Sequence, residues 1–115
     1  MTNIYDKANE LEKVLREDEN FKSLEKAFKD LAEKEESKNI YDNFLKKQQE
    51  YMALLQSGKK PSDEEIKNLQ ELQKQVFEDK TVSNLIQIQQ RLQVTLEDIN
   101  KIIFKPIEEL FNNFK

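Results

Sequence analysis

Gly58, Pro61 and Pro106 are all the turn-making punctuation in 115 residues, which hold one Gly and two Pro. A meander, a sandwich or a Rossmann crossover needs Gly and Pro at many turns, so this chain is expected to be all-α. The same scarcity removes the Gly-rich phosphate cradles, in which several glycines let the backbone approach phosphate closely. The chain has no Cys and no His. Disulfides, thiolate zinc sites, Cys-ligated iron–sulfur clusters, Cys nucleophiles, Ser-His-Asp triads and the helical carboxylate–His di-iron pattern therefore drop out. Carboxylates, Lys, Tyr, Ser and Thr are what remain for chemistry. They form no recognisable catalytic constellation, so no catalytic residue, cofactor site or metal site is assigned.

Leu, Ile, Val and Phe together number 33, well above the roughly 20% of a chain below which disorder is the better expectation. A core is affordable, and the length matches one domain of about 100–150 residues, spanning 1–115. Met1-Thr2-Asn3-Ile4-Tyr5-Asp6 carries neither a basic n-region nor an apolar h-region, and no window approaches the ~18 apolar residues of a membrane span. The expectation is a cytoplasmic protein without membrane contact. Net charge is −4, with no basic excess in either half of the chain, so direct nucleic-acid binding through phosphate contacts is not expected. Lys46-Lys47 and Lys59-Lys60 read as solvated helix surface.

Ile4, Ala8, Leu11 and Leu15 repeat at helical spacing, which predicts a first helix over about 3–16 capped by Asn3 or Thr2. After an interruption at Asp18-Glu19-Asn20, a second stripe runs through Phe21, Leu24, Phe28, Leu31 and Ala32. The stretch Glu33 to Asn39 is wholly polar. A third stripe through Ile40, Phe44, Tyr51 and Leu55, widened by Tyr41, Leu45 and Met52, lies rotated from the second. A kink or short turn near 34–39 follows, with Ser37 as a candidate cap. Ser57-Gly58-Lys59-Lys60-Pro61-Ser62 is the clearest turn: Gly58 can end a helix in the left-handed region, Pro61 blocks continuation, and Ser62 with Glu65 makes a capping box. The fourth helix is expected to bury Ile66, Leu69, Leu72, Val76 and Phe77, and to end near Glu78-Asp79-Lys80-Thr81, with Asp79 or Thr81 capping the next.

From Val82 to Phe104 the apolar residues cover an arc of about 200°, wider than the ~100° stripe of an ordinary surface helix. This segment is expected to be a long helix near 82–104 at the centre of an elongated antiparallel bundle of five to six helices. Pro106 should kink or restart it, yet Ile107, Leu110, Phe111 and Phe114 continue the same stripe. A helix of about 24 residues is roughly 36 Å long, as long as a compact globule of this size is wide, at ~35 Å. Apolar faces would then outrun a small core, and a homodimer or higher oligomer is expected. Leu85, Gln89, Leu92, Leu96, Ile99, Ile103, Phe111 and Phe114 form the candidate core or oligomer seam. Amides at Gln89, Gln93 and Asn100 sit either at its boundary or within it, where they could fix register.

Two carboxylate groups are the candidates for a hard cation: Glu33 with Glu36, and Asp63 with Glu64 and Glu65. Both are explained as well by ordinary helix electrostatics, the second by the favourable placement of acids in a first helical turn.

The run Leu96-Glu97-Asp98-Ile99-Asn100-Lys101-Ile102-Ile103-Phe104-Lys105-Pro106-Ile107-Glu108-Glu109-Leu110-Phe111, with the Gly58-Lys59-Lys60-Pro61-Ser62 turn upstream, resembles the YheA branch of the YlbF/YmcA family of small helical bacterial proteins. The resemblance implies an all-helical bundle and self-association. For the YlbF and YmcA branches it also implies membership of a regulatory complex affecting competence, biofilm formation and sporulation, partly through a ribonuclease that matures messenger RNA. The iron–sulfur clusters associated with that complex do not carry over, because this chain has no Cys. The resulting expectation is a non-enzymatic interaction or scaffold protein with protein partners not yet identified. An accessory factor in RNA processing and a carboxylate-based metal-binding protein are the alternatives.

Overall fold

The computed structural model describes residues 3–114. Those residues form five α-helices: α1 (Ile4–Glu17), α2 (Glu19–Glu33), α3 (Glu35–Gln56), α4 (Asp63–Glu78) and α5 (Lys80–Asn113). No strand occurs among them. The all-α class follows from the sequence as expected. Thr2, the alternative cap for α1, lies outside the described residues.

Three of the four connections are a single extended residue. Asp18 stands at φ −63, ψ 140 between α1 and α2, Lys34 at φ −116, ψ 99 between α2 and α3, and Asp79 at φ −85, ψ 115 between α4 and α5. Short polar side chains let two of these breaks cap the helix they introduce. Asn3 caps α1 in the same manner, with Oδ1 accepting from the Tyr5 N–H at 2.9 Å, and Asp18 Oδ1 accepts from the Asn20 N–H at 2.8 Å. At Lys34 there is no side-chain cap. The break expected near 34–39 thus sits at its first residue, and Ser37 is already inside α3.

The fourth connection is the hairpin read from the sequence. Gly58 takes φ +78, and its N–H and that of Lys59 bond back to Leu55 and Leu54 carbonyls at 3.1 Å each. Ser62 Oγ accepts from the Glu65 N–H at 3.1 Å to start α4. α3 and α4 pack together across this turn.

The chain divides into two compact units. Among the described residues one comprises Leu24–Ile86, the other residues 3–23 with 87–114. In the first, Ala27 and Leu31 of α2, Tyr41 of α3, Val76 of α4, and Val82 and Leu85 of α5 are buried. Phe28 meets Tyr41 edge-on, ring centroids 6.4 Å apart at 76°. The centre of the α2 stripe is therefore Ala27 rather than Phe28, which stays 42% exposed. In α4 the expected core shrinks to Val76, with Leu69 and Leu72 half-buried. Ile66 is 37% and Phe77 80% exposed, since Phe77 stands 100° around the helix from Val76.

α5 differs most from expectation. It has 34 residues and carries Pro106 in its interior, so of the two expected outcomes, a kink or a restart, the restart does not occur. Proline loses one backbone hydrogen bond and crowds the preceding turn, a cost of ~3 kcal/mol, but its fixed φ is itself helical, so the helix passes through. Burial along α5 is confined to Val82, Leu85, Ile88 and Leu92. It is the first third of the helix, not its whole length, that serves as core.

A Cβ at Gly58 would meet nothing within 4 Å, so the only penalty for Gly58→Ala is the left-handed backbone. Urea denaturation should show that variant destabilised by ~1–2 kcal/mol, and Gly58→Asn by less.

Candidate interaction face

Successive residues of a helix turn by 100°, so residues spaced four and three apart stack into one stripe. Leu85, Gln89, Leu92, Leu96, Ile99 and Ile103 keep that alternation without a break. The next position in step is Pro106, and after it the stripe resumes one residue later at Ile107, Phe111 and Phe114. The candidate seam is thus geometrically continuous, and what changes along it is cover. Leu85 is fully buried and Leu92 is at 9% exposure, whereas Phe111 and Phe114 reach 69% and 83%. Gln89 and Ile99 are half-buried. Leu96, Ile103, Ile107 and Leu110 are all exposed, so the structure brings the first three seam residues into or beside the core and leaves the last three on the surface. Ile102 and Phe104 are exposed on the flanks of the same stripe.

The other polar and acidic candidates resolve differently. Ser37 is buried, and its hydroxyl donates to Asp79 Oδ1 and Oδ2 at 3.0 and 2.9 Å. Asp79 Oδ1 also accepts from the Val82 N–H at 3.0 Å, capping α5. The Val82 bond is the main reason the Asp79 carboxyl is held below its ordinary pKa. Partial burial opposes it, while the Ser37 hydroxyl, the Thr81 N–H and the nearby Lys34 ammonium reinforce it. Lys34 Nζ donates to Thr81 Oγ1 at 3.1 Å beside this junction. The two breaks at Lys34 and Asp79 are thereby tied to one another. Asp79 was legible as a cap, but Ser37 as its partner was not, because nothing in a single sequence pairs residues 42 apart.

An adjoining crevice of about 400 Å³ is lined by Asp30, Glu33, Lys34, Lys80, Thr81 and Asn84. Its mixed charges and Thr81's engagement with Lys34 give it no converging set of ligands. Glu36 lines a different crevice from Glu33, and Asp63, Glu64 and Glu65 occupy the first turn of α4. Among the described residues no group of three or more carboxylates is placed to hold a metal. Lys47 pairs with Glu50 at 3.2 Å on the surface of α3. No helix among the described residues is long and apolar enough to cross a membrane.

The family model described as control of competence regulator ComK, YlbF/YmcA, matches residues 4–108. A UPF0342 protein of Staphylococcus aureus (strain JH9) is 33% identical over 109 residues, covering 95% of this chain and 96% of its own. Among solved structures, a protein of unknown function (DUF964) from Bacillus stearothermophilus superposes with a TM-score of 0.84 at 23% identity, over 97% of this chain and 98% of that one. The yheA protein of Bacillus subtilis gives 0.72 at 28% identity, over 95% and 99%. Bacillus subtilis RicA, solved in complex with RicF, gives 0.66 at 21% identity, over 94% and 96%.

Burial along α5 sets a direct contrast: Leu85→Ala should cost ~2–5 kcal/mol in urea denaturation, and Leu110→Ala, measured at dilution, within ~0.5 kcal/mol. Asp79→Asn should cost ~1–3 kcal/mol at pH 7 by weakening the cap and the partner of a buried hydroxyl. Because the folded carboxyl titrates lower than the unfolded one, this contribution is complete near neutrality and is lost as pH falls below about 4. Wild type and Asp79→Asn should therefore converge in stability in acid.

Proposed function

The chain belongs to the YlbF/YmcA family, in its YheA-like branch, and from that premise we propose that it is a single-domain, non-enzymatic cytoplasmic adaptor that self-associates as a homodimer or higher oligomer. The observation that carries this reading is the α5 stripe, covered by its own chain as far as Leu92 and open beyond it. A monomeric protein rarely exposes a contiguous apolar patch of more than a few hundred Å². Leu96, Ile102, Ile103, Phe104, Ile107, Leu110, Phe111 and Phe114 are 41–83% exposed. At about 100 Å² apiece they offer about 800 Å², the share one partner contributes to a standard interface. Each large side chain removed from water is worth roughly 1.5–3 kcal/mol.

The family model describes a regulator, and RicA, which shares the fold, was solved in complex with another protein, RicF. Both support protein contact rather than catalysis as the activity. The seam residues Leu96, Ile99, Ile103, Phe111 and Phe114 carry the self-contact in this reading, while Leu85 and Leu92 are buried in their own chain and Gln89 is half-buried.

Size-exclusion chromatography with light scattering at high micromolar concentration should return a multiple of the 13.7 kDa chain. Phe111→Glu, at a position exposed in its own chain, should weaken association at least about thirtyfold, the loss expected of a hot-spot residue. A clean monomer for wild type would overturn self-association. For the adaptor role, a native pull-down from the protein's own cells should enrich a specific protein partner, and recovery of none above a control would overturn that part.

A further inference from the structure

The end of α5 has little side-chain support. From Gln93 to Phe114 no residue is buried. Residues 98–114 make no side-chain hydrogen bond or ion pair among the described residues. Glu108 and Glu109 lie near the C-terminus, where the helix dipole disfavours acids, and the last turn holds no basic residue. Pro106 takes the donor that would have bonded the Ile102 carbonyl and crowds the turn before it. In water a helix of fewer than ~12–15 residues is marginal without packing, and only seven helical residues follow Pro106. The first third of α5 is anchored, and helix can propagate from it, but each turn toward Phe114 exposes apolar surface with nothing to repay the ordering.

We infer that residues 104–114 become helical only when a second copy of the chain covers them, so that folding of this segment and self-association are one event. The inference rests on the self-association proposed above and adds what the isolated chain does: its tail is unfolded, and the apolar stripe exists as a surface only in the assembly. The eight exposed side chains that make up one standard interface share are largely those of this segment, which is why a second copy, presenting the same area, is the occupant. Coupling of this kind makes helicity depend on concentration and keeps the isolated chain from displaying a preformed sticky face.

Hydrogen exchange read by mass spectrometry, with light scattering on the same dilution series, tests it. As the mass falls to that of one chain, amides of 104–114 should lose protection by about tenfold or more, while those of 82–92 stay unchanged. Phe111→Glu should show the unprotected tail at all concentrations. Pro106→Ala in the Phe111→Glu background should restore tail protection without association, since removing the proline favours the helix by about a hundredfold. If the mass falls but tail protection does not, or if the Phe111→Glu monomer protects its tail as well as the assembly does, the inference is overturned and self-association stands. If wild type never associates, both fall together.

Discussion

The sealing of Val82 and Leu85 is the interaction on which the rest depends. They are the most completely buried large side chains among the described residues, and they sit one turn apart on the first turns of α5. Their position is set by Asp79, whose carboxylate receives the Val82 N–H and so decides where α5 begins. Because side-chain direction advances by 100° per residue, fixing that start fixes the phase in which Val82 and Leu85 enter the core of residues 24–86.

Much of this was legible in the sequence, because caps and breaks are local chemistry. Asn3, Gly58, Pro61, Ser62 and Asp79 each satisfy or block a backbone group within four residues of themselves, and each does what its type suggests. Side-chain periodicity marked out the long α5 helix as well. How far along the stripe its own chain provides cover is another matter, since it depends on which partners lie alongside, and periodicity carries no record of them. Phe77 and Ala27 show the same limit from opposite sides: hydrophobicity marked the Phe as core and passed over the Ala, while burial follows phase and space. At Pro106 the sequence left a kink or a restart open, and the helix does not restart. Its ring opposes the turn before it but not the turn it begins, so a proline can lie within a continuous helix.

The candidate chemistry reads in the same way. Ser37, buried, and Asp79, half-buried, form a polar pair of the kind that marks reactive sites in other folds, yet the Ser37 hydroxyl donates to Asp79 and the Asp79 carboxylate caps α5. The acidic groups at 33–36 and 63–65 fall on separate surfaces or in a first helical turn, where they stabilise local structure. Exposed large apolar side chains occur on every helix of the described residues, and the longest run of them lies at the far end of α5.

The single-residue breaks have a consequence for how this chain can change length. One residue added at Lys34 would advance α3 by 100° and carry Ser37 away from Asp79, and one added at Asp79 would rotate the whole of α5. The hairpin at Ser57–Ser62 is free of that arithmetic, because Gly58 and Ser62 close and open their helices independently and the loop residues between them are largely exposed. Insertions, grafted peptides or fluorescent labels therefore belong at Lys59-Lys60. The other junctions behave as fixed gears, in which the spacing of residues matters as much as their identity.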